Sequence, residues 1–264
     1  MESFIEGAGP PLVMLGGGTL GAGEFAPHAR LLGPRFRVVR LQTTNISTAE
    51  KRDALPAGYS VRYESEAMRR SLDQLGLGVP LDVVGHSFGA LVALDFALEH
   101  PGRIRTLTLA EPPAFWVVPL SERQSTPDMR TMEGLTRTLG PDVEPTDDQF
   151  ARFQCALGRC GLTAPAPGDP AWADWAWRRS TLRGLSVVAT HNDDVRRIRR
   201  FDRPVLIVTG STTVAFHRRI DEILAGDFPH AERAELPGGH GATSTAPEEF
   251  VRMIEAFVAR HSRA

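Results

Sequence analysis

The sequence predicts an α/β architecture, a mostly parallel twisted sheet flanked by helices with one inserted helical segment. Three observations carry that reading. Short apolar runs recur along the chain, as in Val205-Leu206-Ile207-Val208, and such runs suit strands buried on both faces. Stretches of good helix formers alternate with them, the pattern of a parallel sheet with crossover helices. The alternation breaks once, between Pro112 and Arg200, where no comparable run occurs and helical patches stand between loops.

Taken in order, the strands are Pro11 to Leu15, Phe36 to Leu41, Leu81 to Val84, Ile104 to Ala110, Val205 to Thr209 and Glu232 to Leu236. The helices are Glu24 to Leu32, Tyr59 to Leu75, Ala90 to His100, Phe216 to Leu224 and Pro247 to Arg260. Thr163-Ala164-Pro165-Ala166-Pro167-Gly168-Asp169-Pro170 is a bend, since proline removes donors and fixes φ. Residues 1–112 and 201–264 are therefore expected to form one core, and 113–200 an insertion. A chain of 264 residues with 42% hydrophobic content can bury such a core.

Charge narrows the partners. Thirty basic and 32 acidic residues leave a net of -2, which argues against nucleic acid or an anionic membrane surface. No basic segment followed by an apolar run opens the chain, and no stretch approaches a membrane span, so a cytoplasmic location is expected. Cys155 and Cys160 have no histidine near enough to complete a metal set; they read as ordinary thiols on a helix, with no disulfide.

The most informative stretch is Leu81-Asp82-Val83-Val84-Gly85-His86-Ser87-Phe88-Gly89-Ala90. It sets a serine between two glycines where a buried strand turns into a helix. Glycines on either side allow the sharp corner, and the helix that follows aims its first amides at whatever Ser87 attacks. This is a nucleophile elbow, Gly-x-Ser-x-Gly. A serine hydroxyl needs a base to take its proton. His240, in Leu236-Pro237-Gly238-Gly239-His240-Gly241 after the last strand, is the candidate. His28, His100, His217, His230 and His261 fall in amphipathic helices or at their ends, where a solvated ring is the default, and His191 lies in the insertion. His86 points away from Ser87 along the chain, which suits packing.

With these motifs the chain resembles the α/β-hydrolase superfamily over essentially its whole length, the insertion standing as a helical cap. The resemblance implies an oxyanion loop after an early strand, then the elbow, an acid and a late histidine. Relatives begin with a two-strand hairpin, whereas only Ser3 to Glu6 is available here, so a shorter sheet edge is expected. The usual acid position after Val205 to Thr209 reads Gly210-Ser211-Thr212-Thr213, without a carboxylate. Threonine cannot stabilise an imidazolium by charge. A variation within the superfamily puts the acid one strand earlier, which selects Glu111 in Ala110-Glu111-Pro112-Pro113, held extended by the following proline. Asp221 is the rival. The resemblance gives one oxyanion donor to the Phe88 amide and the other to Gly17 or Gly18 in Leu15-Gly16-Gly17-Gly18-Thr19, with Gly18 the better aligned.

For substrate, Phe115, Trp116 and Trp175 suggest an apolar pocket under aromatic rings, although packing of the insertion explains them equally well. The arginines at 178–179 and 196–200 read as solvated helix faces. The expected activity is cleavage of an apolar carboxylic ester or lactone through an acyl-enzyme, without cofactor or metal. Its alternatives are a thioesterase or cyclase, a lyase on the same base, and a slow receptor-like homologue. A small apolar molecule is the expected partner, with a carrier protein or a second copy of the chain left open.

Overall fold

The computed structural model describes residues 1–166 and 168–261. Seven strands, β1 (Glu2–Glu6), β2 (Pro11–Leu15), β3 (Arg37–Gln42), β4 (Leu81–His86), β5 (Ile104–Ala110), β6 (Val205–Gly210) and β7 (Ala231–Leu236), make one sheet in the order β1-β3-β2-β4-β5-β6-β7. Every pair is parallel except β1 on β3, where Glu2 faces Gln42. That lone antiparallel strand stands where a hairpin was missing from the sequence, and its exposed Phe4 and Ile5 mark an open edge.

Alternation of side chains sorts the strand residues into two cores. Val13, Leu15, Val83, Leu107 and Ile207 pack on one face with α3 (Val61–Gln74), α4 (Phe88–Glu99) and α11 (Ala215–Asp227). Leu12, Met14, Val84, Leu206 and Val208 pack on the other with α1 (Ala26–Leu32) and α13 (Pro247–His261). α4 is buried from Phe88 through Leu98, which explains its apolar composition all round. His100 and Pro101 close it, as proline cannot continue the ladder.

One helix has no apolar signature: α2 (Thr44–Lys51), Thr-Asn-Ile-Ser-Thr-Ala-Glu-Lys. Tertiary bonds hold it instead. Thr44 Oγ1 and the Asn45 amide both donate to the buried Glu64 carboxylate, at 3.0 and 3.2 Å. Between Ala110 and Val205 the described residues contain no strand and six α-helices, α5 (Leu120–Ser125), α6 (Pro127–Thr138), α7 (Asp147–Ala156), α8 (Trp172–Ser180), α9 (Leu182–Leu185) and α10 (Val195–Arg199). α12 (Ala242–Thr245) follows β7. The bend occupies 163–166 and 168–170 without helix or strand, and Pro167 lies outside the described residues.

The cysteines correct the sequence expectation, because Cys155 and Cys160 are joined in a disulfide with Cα atoms 4.0 Å apart. Only Cys155 is helical. Past Ala156 the chain turns through Gly158 at φ 86, so Cys160 folds back onto α7 rather than continuing along it.

Candidate active site

Neighbouring strands β2 and β4 feed chain in opposite directions across the sheet, so the loops leaving their carboxyl ends meet at a crevice. The loop after β2 carries Gly16, Gly17 and Gly18. The corner after β4 carries Ser87, at φ 52 and ψ -124, a conformation that costs a non-glycine residue about 1–3 kcal/mol. The surroundings fix that corner. Ser87 N–H donates to Ala110 O at 2.8 Å, and its carbonyl accepts from Leu91 N–H at 3.1 Å. A Cβ on Gly85 would overlap Ala90 Cα, and one on Gly89 would overlap the Leu15 carbonyl, so the glycines serve as close-approach points.

From that corner a continuous line of hydrogen bonds runs to the sheet edge. His240 Nε2 lies 2.9 Å from Ser87 Oγ, and His240 Nδ1 lies 2.6 Å from Glu111 Oε2. Glu111 also accepts from the Gly210 amide at 2.7 Å and from Thr213 Oγ1 at 2.8 Å. The threonine at the position usual for an acid thus donates to the carboxylate that comes from β5. Glu111 is not extended as Pro112 suggested: its φ is 48. β5 ends at Ala110, and the chain must turn there to carry the carboxylate across to β6. Asp221 stays away from His240. It is buried, accepts from Thr209 Oγ1 at 2.7 Å, and burial pushes its carboxyl well above the usual range, which favours the neutral form.

A second buried pair lies beneath. His86 Nε2 donates to the His240 carbonyl at 2.8 Å, and Nδ1 faces Glu24 Oε1 at 2.7 Å. A carboxylate beside one ring nitrogen and a carbonyl at the other both favour the protonated form of His86. Burial is the largest single influence and would lower its pKa, but the charge and contact of Glu24, the Glu111 charge and the His240 carbonyl together raise it. Burial would likewise raise Glu24, yet His86 and the hydrogen bonds bring it to about 2. Glu24 accepts from the Gly17 amide at 2.7 Å, Thr243 Oγ1 at 3.0 Å and Ser244 Oγ at 3.1 Å. One carboxylate therefore ties the glycine loop to the loop that carries His240. The sequence hid this pairing, because its members are far apart and show no motif.

Two more expectations about histidines are corrected. His28 is buried with Nε2 2.8 Å from the Thr243 carbonyl. His217 is buried and stacked on His240, ring centroids 4.3 Å apart and planes 12° from parallel. Glu111, His217 and His240 offer three donor atoms within 4.8 Å. Parallel rings aim their nitrogens along parallel lines, and both His240 nitrogens already have partners, so this cluster is poorly arranged for a shared metal ion.

Gly18 and Phe88 line the same cavity as Ser87. Phe88 begins α4, so its N–H has no carbonyl one turn earlier. The Gly18 amide donates to no acceptor among the described residues, while its carbonyl accepts from Asn45 Nδ2 at 2.9 Å. Gly17 is already committed to Glu24, which leaves Gly18 as the loop's free donor. The cavity there is lined by Phe115, Met132, Phe153, Leu185, Val188 and Phe216. Trp116 and Trp175 lie outside it: Trp116 stands edge-on to His191, and Trp175 packs edge-on against Phe150 with Nε1 donating to Asp147 at 2.8 Å. Helix orientation turns these rings into the packing of the segment, so phenylalanines line the pocket instead.

Burial lowers the His240 pKa below 6.5, with the Glu111 bond opposing and the His86 charge reinforcing it. A base works in its neutral form, so kcat/KM is expected to fall with acid through a midpoint below 6.5 and to be flat from pH 7 to 8. A pH–rate profile with its midpoint above 6.5 would contradict the balance of burial and charge.

A family model described as alpha/beta hydrolase fold matches residues 10–247. A Caulobacter vibrioides protein named "Putative carbamate hydrolase RutD" is 26% identical over 254 residues, spanning 95% of this chain and 91% of its own length. A pimeloyl-[acyl-carrier protein] methyl ester esterase of Nitrosospira multiformis is 25% identical over 262 residues, spanning 96% and 97%. A crystal structure of a hydrolase from Pseudomonas aeruginosa PA01 superposes with a TM-score of 0.72 at 19% identity, over 97% of this chain and 93% of that one. With the sheet order, the elbow and a family match over nearly its whole length, this chain is an enzyme that belongs to the α/β-hydrolase fold family.

Proposed function

We propose that the protein is a serine hydrolase that cleaves carboxylic esters or lactones through an acyl-enzyme, with residues 113–200 acting as a cap over a core of 1–112 and 201–264. The observation that carries the reading is the unbroken line Ser87–His240–Glu111, at 2.9 and 2.6 Å, under a pair of free amides. The relative named as a methyl ester esterase agrees with ester cleavage.

In this mechanism Ser87 Oγ attacks the ester carbonyl as His240 Nε2 takes its proton. Charge grows on the carbonyl oxygen, where the Phe88 and Gly18 amides stabilise it. Glu111 holds the Nδ1 proton and offsets the imidazolium charge. Burial would raise Glu111, but the His240 bond and the nearby rings keep it ionised, with a pKa of about 2. His240 then gives its proton to the leaving oxygen, and water repeats the sequence to free the acid. The substrate enters an apolar cavity, and among the described residues no helix is long and apolar enough to cross a membrane.

Turnover of a short-chain aryl ester in water enriched in ¹⁸O is expected to place the label in the released acid, and a fluorophosphonate to form one adduct, on Ser87. Label-free product would indicate cyclisation or transfer. Absence of both turnover and adduct would remove the hydrolase reading.

A further inference from the structure

At the mouth of the apolar cavity a wider groove opens, and Arg159 lines both. Its guanidinium has no carboxylate within ion-pair distance among the described residues; its one side-chain partner is Gln154 Oε1, 3.5 Å from Nη1. Neighbouring arginines are engaged, Arg178 with Asp174 and Arg179 with Asp147, each at 2.7 Å. Position matters as much as the lack of a carboxylate partner. A Cβ on Gly241 would overlap Arg159 Nη2, so this cation sits against the residue next to His240. The turn through Gly158 and the Cys155–Cys160 bond hold it there.

The reaction decides which part of a substrate meets it. A leaving oxygen must reach His240 Nε2 to collect its proton, so the alcohol portion lies on the side of Gly239, His240 and Gly241, which line the groove. The cavity holds about 40 Å³ of free space and the groove about 810 Å³. The cavity is much the smaller of the two and is walled by apolar side chains, which suits a short acyl group, so the bulk of the molecule belongs in the groove. Of the acidic groups there, Glu24 is committed to His86 and the two loops, and Glu50 is exposed and accepts from Gln42 at 3.1 Å.

We propose that Arg159 is a specificity-determining residue that binds a carboxylate on the alcohol portion of the substrate, so that the enzyme favours short-acyl esters with an anionic leaving group. This rests on the serine-hydrolase reading for the identity of the leaving group. A guanidinium at a partly desolvated mouth can bind a carboxylate through two parallel N–H bonds, which a neutral isostere cannot reproduce.

The test compares 4-acetoxybenzoate with the neutral 4-acetoxybenzamide. Arg159→Gln is expected to lower kcat/KM for the anion by about 10- to 100-fold and for the amide by no more than about twofold. Arg159→Lys should recover part of the loss. If Arg159→Gln leaves the anion-to-amide ratio of the wild type unchanged, the proposal is overturned while the hydrolase reading stands. If neither ester is cleaved, the hydrolase reading falls, and calorimetric titration of 4-hydroxybenzoate still decides the site: weaker binding to Arg159→Gln than to the wild type supports it, and equal binding removes it.

Discussion

Ser87→Ala is expected to lower kcat on a short-chain nitrophenyl ester by roughly 10⁴- to 10⁶-fold with little change in KM. Among the described residues the hydroxyl oxygen has one partner, His240 Nε2, whereas the backbone bonds from Ser87 to Ala110 and Leu91 do not involve the side chain. Alanine suffers the same φ 52 corner as serine, so the melting temperature should stay close to that of the wild type. Thermal melting beside steady-state kinetics checks both parts. A variant that keeps wild-type turnover would mean that another group attacks the substrate.

Glu111→Gln comes second, with an expected loss of about 10³- to 10⁴-fold in kcat. Glutamine removes the charge that stabilises the His240 imidazolium. It also places an NH₂ where the carboxylate now accepts from the Gly210 amide, Thr213 Oγ1 and His240 Nδ1. An amide has one oxygen for these three donors, so at least one must turn away, and the ring loses its fixed tautomer. Asp221→Asn is the control. Burial favours the neutral form of that carboxyl, and among the described residues its Oδ2 accepts from Thr209 alone, so an asparagine oxygen can take over the bond and kcat should stay near the wild-type value. Kinetics on the two purified variants decide the matter, and loss of turnover in Asp221→Asn alone would move the acid role there.

What sequence could foretell divides along physical lines. Strand positions and burial were legible because continuous apolar runs leave a local trace, as in Val205-Leu206-Ile207-Val208, whose alternate residues enter the two cores. The side chains that the structure brings together, Ser87, His240 and Glu111, could be picked out from the glycine corner around Ser87 and from the resemblance, which implied the late histidine and, with Thr213 at the usual acid position, an acid one strand earlier. Long-range bonds leave no such trace. The helix of Thr44–Lys51 forms from polar residues because Glu64 binds its first turn. His86 and Glu24 stand 62 positions apart and carry no motif, though their 2.7 Å contact underlies the His240 loop. The lining of the pocket was legible only in part for a related reason: Phe115 lines it as expected, but side-chain direction, rather than aromatic content, decides that Phe153 faces the cavity while Trp175 faces Phe150.

The buried Glu24 carboxylate sets a condition on biogenesis. It joins a loop made early in translation to Thr243 and Ser244, 219 and 220 positions later. A nascent chain held on the ribosome has its serine corner long before it has the imidazole or the clamp behind it. In the proposed mechanism the Ser87 hydroxyl therefore has no base until the segment from His240 to Ser244 has been made and has docked on Glu24.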